Sequence, residues 1–246
     1  LASAVVPADC ANIYAKLEAF NPGGSIKDRI CLNIIEAAIQ NGQLDLHNTQ
    51  NPPTVIEATS GNTGIGLALV CAAKKIKLVI VMPENYSIER RYLLKSYGAK
   101  LVLTPAAGEM PAAIAKAREL LASTPNAIMA RQFDNPANPA VHAEYTAREF
   151  INDLNGLSID AMVIGVGTAG NFKGVGRLIR QQFPHARLIA VEPSKSATLS
   201  GDGSGVHAIE GIGPGFVPAN MDMALLDEII KIDDKQAVDA VKLLAA

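Results

Sequence analysis

Thr54-Val55-Ile56-Glu57-Ala58-Thr59-Ser60-Gly61-Asn62-Thr63-Gly64 carries a short β-branched run into a polar turn, and Ile65, Leu67, Leu69 and Val70 continue beyond it at helical spacing. Strand, polar turn and helix in that order form half of a parallel crossover. The order recurs at Asp160-Ala161-Met162-Val163-Ile164, followed by Gly165-Val166-Gly167-Thr168-Ala169-Gly170-Asn171 and a helix containing Val175, Leu178 and Ile179. Across the chain, strands are expected near 12–17, 54–58, 77–82, 99–103, 160–165 and 187–191. Helices are expected near 26–41, 63–75, 87–97, 110–123, 139–154 and 172–182, and again after Asp233 and Asp234. This alternation predicts an α/β fold of two lobes, each a parallel-rich twisted sheet covered by helices. Ligands of such sheets gather at the carboxyl ends of strands, so the loops after strands are where chemistry is expected.

Composition limits the function. Of 246 residues, 49% are hydrophobic and 19% charged, enough for a substantial core. A formal net charge of -2 lacks the electrostatic footprint of nucleic-acid or anionic-membrane binding and suits a small, partly charged substrate. Cys10, Cys31 and Cys71 are odd in number and lack metal-ligand spacing, so no metal site is expected and the thiols are read as reduced, in a cytoplasmic protein. No run approaches the apolar length of a membrane span, and Leu1 to Val6 lacks the basic flank of a signal peptide. The chain does not start with Met, which suggests that residues precede Leu1.

In residues 59–64, Thr59, Ser60, Asn62 and Thr63 supply more donors than a helix cap requires. They converge with helix-start NH groups, a combination suited to gripping a carboxylate. A second loop, Asn21-Pro22-Gly23-Gly24-Ser25-Ile26-Lys27-Asp28-Arg29, places Lys27 in the first turn of a helix whose buried stripe is Ile30, Ile34, Ile35 and Ala38. Ser25 and Asp28 are spaced as a capping box. Unpaired amides at a helix start disfavour an ammonium, which would lower the lysine pKa toward the neutral nucleophile that forms Schiff bases. A charged, solvated helix start is the plainer reading of the same residues.

Gly165, Gly167 and Gly170 also spell G-x-G-x-x-G, with Glu192 ending the next strand at dinucleotide-site distance, so a nicotinamide dehydrogenase competes. That reading leaves Lys27 and residues 59–64 without roles. A cofactor needing both a phosphate cradle and an amine uses all three loops, and pyridoxal phosphate is such a cofactor.

These residues resemble the fold-type II pyridoxal-phosphate enzymes, related to the tryptophan synthase β chain, and among them most closely the cysteine synthase (O-acetylserine sulfhydrylase) family. The resemblance runs through Lys16-Leu17-Glu18, residues 21–29 and 59–66, Met82-Pro83 with 87–91, Gln132-Phe133 with 135–139 and His142. It continues through 165–177, Val191-Glu192-Pro193, Leu199-Ser200-Gly201 and 211–216. It implies a pyridoxal-phosphate site in the cleft between a larger cofactor lobe (1–30 and 139–246) and a smaller substrate lobe (31–138). Lys27 is implied as the aldimine lysine that later takes the Cα proton, and Asn62 as the partner of the ring hydroxyl oxygen. Gly167, Thr168, Ala169, Gly170 and Asn171 would cradle the phosphate. Thr59, Ser60, Gly61, Thr63 and Gln132 would hold the substrate carboxylate, with Gly211, Ile212 and Gly213 flanking the substrate amino group.

The reaction so implied is β-replacement through an external aldimine and aminoacrylate, O-acetylserine and sulfide giving cysteine and acetate. The same motifs fit a cystathionine β-synthase or an O-phosphoserine user. A catalytically weak homologue acting as a binding or regulatory partner is the reading from another class. The resemblance also implies a homodimer and, as a partner, the C-terminal tail of serine acetyltransferase. The family's phosphate loop usually reads Gly-Thr-Gly-Gly-Thr; here Ala169 adds a Cβ and Asn171 replaces a hydroxyl by an amide. Family members continue past Ala246, with a serine for the pyridine nitrogen, and begin before Leu1.

Overall fold

Parallel strands buried on both faces read as continuous apolar runs, and β1 (Thr54–Ala58) has all five residues buried. The computed structural model describes residues 10–245. The chain divides into two compact units, one of residues 18–138 and one of 10–17 with 139–245.

In the first unit, β1 is flanked by β2 (Lys77–Pro83), β3 (Lys100–Thr104) and β4 (Ala127–Ile128) in the order β3-β2-β1-β4, every pair parallel. Thr54 stands opposite Lys77 on one side and Ala127 on the other. Four helices belong to this unit: α1 (Lys27–Gln40), α2 (Asn62–Lys74), α3 (Ile88–Ser96) and α4 (Glu109–Ser123). Ile56, Ala58 and Val81 pack with Ala113 and Ala117 of α4. Strand alternation therefore turns Val55 and Glu57 to the opposite face. The expected stripe of α1 is buried at Ile30, Ile34, Ile35 and Ala38, each large aliphatic contributing about 1.5–3 kcal/mol.

In the second unit, β5 (Ala161–Gly165), β6 (Arg187–Pro193) and β7 (Glu228–Ile232) form a parallel sheet in the order β5-β6-β7. Its core joins Met162, Ile164, Leu188 and Ala190 to Phe172, Val175 and Ile179 of α7 (Gly170–Gln182). The chain closes with α8 (Asp234–Ala245).

Two expectations are corrected. Residues 12–17 form no strand; Ile13, Tyr14 and Leu17 are exposed, and Lys16 pairs with Glu149 and Asp153 at 2.9 and 3.1 Å. The single helix expected over 139–154 is α5 (Ala137–Val141) and α6 (Ala147–Asp153), joined by a π-helical turn, His142–Thr146. There α7 comes so close that a Cβ on Gly174 would lie 2.2 Å from the Pro139 carbonyl. The sheets also contain two strands beyond the expected ones, β4, of only two residues, and β7, whose half-buried run is interrupted by charged Glu228 and Lys231. No helix among the described residues is long and apolar enough to cross a membrane.

Candidate active site

Lys27 is the first residue of α1, and its amide donates to Ser25 Oγ at 3.2 Å. The expected capping box is not formed, because Asp28 reaches past Ser25 to accept from Gly23 N at 2.5 Å. That approach needs glycine: a Cβ on Gly23 would sit 2.3 Å from Asp28 Oδ1. Glu18 receives Arg29 Nε at 2.7 Å and Nη2 at 2.9 Å, and also Asn21 Nδ2 at 2.7 Å, so both sides of the turn are braced.

The Lys27 pKa is lowered, as expected, but burial is the cause rather than the helix-start amides; only the negative charge that Cys31, one turn on, would carry as a thiolate acts the other way. Burial also pushes the Cys31 thiol well up, keeping it neutral. Its Sγ donates to the Thr63 carbonyl at 3.4 Å, which ties the lysine helix to residues 59–63.

In that second loop Thr59 and Thr63 are buried, Ser60 and Gly61 are half-buried, and Asn62 is exposed at the start of α2. Thr59 Oγ1 accepts from Gly61 N at 3.3 Å, and Thr63 Oγ1 donates to Gln132 Oε1 at 2.5 Å. Hydroxyls and a primary amide are thereby gathered in one place, the group types that hydrogen-bond a carboxylate. The structure thus brings Thr59, Ser60, Gly61, Thr63 and Gln132 together in one unit, with Thr63, in the first turn of α2, tied to the helix of Lys27.

Sequence reasoning missed two residues here. Arg90 Nη1 donates to the Ser60 carbonyl at 3.0 Å, bracing the loop from α3. Glu57, buried in β1, accepts from the amides of Ala130 and Arg131 at 2.7 and 3.3 Å. A carboxylate inside Thr-Val-Ile-Glu-Ala was the signal that could have revealed it.

The second unit holds the other predicted residues. Beyond β5, Gly167 lies against the Gly211 carbonyl so closely that a Cβ would stand 2.3 Å from it, and Gly213 N donates to the Val166 carbonyl at 3.0 Å. Residues 165–171 and the Gly211, Ile212, Gly213 segment are therefore neighbours. Thr168, Ala169 and Gly170 are buried, and α7 starts at Gly170, aiming its first amides into the loop. Ala169 adopts φ 61°, the left-handed region. Glu192 is fully engaged, accepting from Leu199 N at 2.8 Å, Ser200 N at 3.0 Å and Ser200 Oγ at 2.6 Å. It anchors the following loop and has little left for the ribose hydroxyl that a dehydrogenase would present.

The residues fit pyridoxal phosphate on two observations. The loop after β5 is a backbone cradle at a helix N-terminus, and Asn171 Oδ1, beside it, is buried without a hydrogen-bond partner. A half-turn of that amide converts the orphaned acceptor into a donor. In the other unit Lys27 is half-buried and desolvation lowers its pKa, which favours the neutral amine.

Residues 2–246 match the family described as pyridoxal-phosphate dependent enzyme. A cysteine synthase of Flavobacterium sp. is 48% identical over 227 residues, 92% of this chain and 72% of that protein. The crystal structure of a cysteine synthase from Entamoeba histolytica superposes with a TM-score of 0.86 at 38% identity, covering 94% of this chain and 68% of that one. An O-ureido-L-serine synthase gives a TM-score of 0.87 at 42% identity, covering 94% and 71%. With the lysine turn, the donor cluster and the glycine cradle in place, the match over nearly the whole sequence establishes that this chain belongs to the pyridoxal-phosphate dependent enzymes.

Proposed function

We propose that this chain catalyses β-replacement on an O-activated serine, O-acetylserine and sulfide giving cysteine and acetate. The observation that carries this reading is the Lys27 amine, biased toward neutrality, on a helix tied through Cys31 to the Thr63–Gln132 donor pair. Pyridoxal phosphate, when bound, supplies an electron-withdrawing ring that stores the charge left when the substrate Cα proton departs.

Lys27 Nζ is the covalent attachment point and, once the substrate amine has displaced it, the base that takes the Cα proton. Thr59, Ser60, Gly61, Thr63 and Gln132 receive the substrate carboxylate. Asn62 meets the ring hydroxyl oxygen. Gly167, Thr168, Ala169, Gly170 and Asn171 hold the phosphate, with Gly211, Ile212 and Gly213 beside the substrate amino group. Acetate leaves the β-carbon with the bonding electrons, and sulfide adds there. Residues 139–246 are assigned to the cofactor lobe and 31–138 to the substrate lobe; of the segment 1–30 that the resemblance gives to the cofactor lobe, residues 18–30 fall in the compact unit of 31–138. We place the enzyme in the cytoplasm as a homodimer, with the C-terminal tail of serine acetyltransferase as a partner.

The test is purified protein loaded with pyridoxal phosphate and offered O-acetylserine, O-phosphoserine or serine, each with sulfide or homocysteine. Cysteine from O-acetylserine and sulfide is expected, with a loss of at least about 10³-fold in Lys27→Ala. Inertness toward every pair would reject the reaction, and preference for homocysteine would move the assignment to cystathionine formation.

A further inference from the structure

Glu57 is the one carboxylate of β1, 6% exposed, on a strand otherwise apolar save for Thr54. Burying it without purpose would be costly, and its partners show what it holds. One oxygen, Oε2, accepts from Ala130 N at 2.7 Å and from Arg131 N at 3.3 Å. Arg131 is held at φ 52°, a conformation that residues with a Cβ avoid. Its side chain does not impose this: it lies exposed and pairs with Asp134 at 2.5 Å. The next residue is Gln132, whose Oε1 meets Thr63 Oγ1. Around it, Asn135 Nδ2 donates to the Ala130 carbonyl at 2.9 Å and Asn138 Nδ2 to the Gln132 carbonyl at 2.7 Å.

We infer that Glu57 is a positioning residue: it pins the strained turn at Arg131 so that Gln132 is delivered to Thr63, and through that pair it sets the grip on the substrate carboxylate. The inference rests on the function proposed above for that pair. Glu57 acts through Gln132 and is not itself a catalytic residue. Burial raises its carboxyl to about 7, the two amides acting against the rise and Asp134 adding to it. From α1, the Cys31 thiol also faces it, neutral and so without charge to add. Since Oε2 alone receives both amides, Oε1 can carry the proton while the pin remains in place. Glutamine is therefore a close mimic of the protonated form.

A folded pKa above the unfolded one means that the native state binds the extra proton between about 4.5 and 7, so this group's contribution to stability is lost as pH rises through that window.

The experiment uses the cofactor-loaded enzyme and compares Glu57→Leu, Glu57→Asp and Glu57→Gln. Leucine removes the acceptor, and aspartate is one methylene too short to reach both amides. Both are expected to raise KM for the amino-acid substrate about tenfold with kcat within about twofold, the size of one lost hydrogen bond. Both should speed deuterium exchange at the Ala130 and Arg131 amides. Glutamine should restore KM and amide protection, and should remove the fall in melting temperature between about pH 4.5 and 7. Unchanged KM and amide protection in Glu57→Asp, which retains a carboxylate and so survives if the leucine variant fails to fold, would overturn the inference. So would a glutamine variant no better than leucine. If wild-type protein turns over no O-activated serine, the proposed function fails instead, and the exchange data still decide whether Glu57 pins the turn.

Discussion

Residues 59–64 and 165–171 both carry the end of a parallel strand into the start of a helix, yet they are built by opposite means. The first works with side chains. Thr59 and Thr63 are committed to hydrogen bonds, Gln132 joins from a distant turn, and the backbone stays in ordinary regions, with Gly61 at φ −113°. The second works with main chain. Gly167 lets the backbone meet the Gly211 carbonyl, Gly213 N closes on Val166, and Ala169 is bent into the left-handed region. A loop of the first kind should tolerate an added methyl and suffer from a lost hydroxyl; the second should do the reverse.

The largest effect should come from adding one methyl to each. In Gly167→Ala the new Cβ would stand 2.3 Å from a backbone oxygen that cannot swing away, so about 3 kcal/mol of stability should be lost, with cofactor retention. In Gly61→Ala nothing lies within 4 Å of the new atom and φ is negative, so the change should stay within about 1 kcal/mol. Thermal melts of both cofactor-free proteins check this. Equal losses would dissolve the distinction between the two loops.

Removing polar groups should invert the order at smaller scale. Thr63→Val deletes the donor to Gln132 Oε1 and should cost about 1–2 kcal/mol, with KM for the amino acid rising and kcat little altered. Asn171→Ser removes an amide oxygen that has no partner, so cofactor-free protein should lose less than about 0.5 kcal/mol. Its effect belongs to the cofactor-loaded state, where titration with pyridoxal phosphate should show weaker binding.

The same contrast explains what could be read from sequence. Strand, turn and helix alternation followed from periodicity, and the chain's parallel sheets agree with it at β1, β2, β3, β5 and β6. The donor surplus at residues 59–63 was visible because hydroxyls and amides are written in the sequence. Backbone proximity is not. That Gly167 meets Gly211, far along the chain, depends on how the two loops pack, and a glycine pattern alone also fits a dinucleotide site. Glu192 carried that ambiguity until its carboxylate was found anchoring Leu199 and Ser200. For Lys27 the helix start points to the direction of the pKa shift and not to its cause, since burial is a tertiary quantity. Glu57 was overlooked for the related reason that its partners, Ala130 and Arg131, are amides from a distant turn.

Ala169→Gly should also give a small effect, and it is the sharpest check on the backbone loop. Its φ of 61° and ψ of −1° cost a residue with a Cβ about 1–2 kcal/mol relative to ordinary backbone, which glycine would avoid. Yet the methyl is 3% exposed and packs in the cluster of Val166, Phe172 and Val175, where burial is worth about 0.8 kcal/mol. Glycine would also loosen the unfolded chain by about 0.4–1 kcal/mol. These terms nearly cancel, so Ala169→Gly should move the stability of cofactor-free protein by less than about 1 kcal/mol. Ala169→Val adds β-branching where the left-handed region tolerates it least and should lose more than about 2 kcal/mol. A gain above about 2 kcal/mol in the glycine variant would mean that the methyl contributes no packing and that the alanine is simply strain. A near-zero shift would mean that the loop after β5 has exchanged backbone freedom for core contact, keeping its shape with a residue that glycine-based reading marks as a defect.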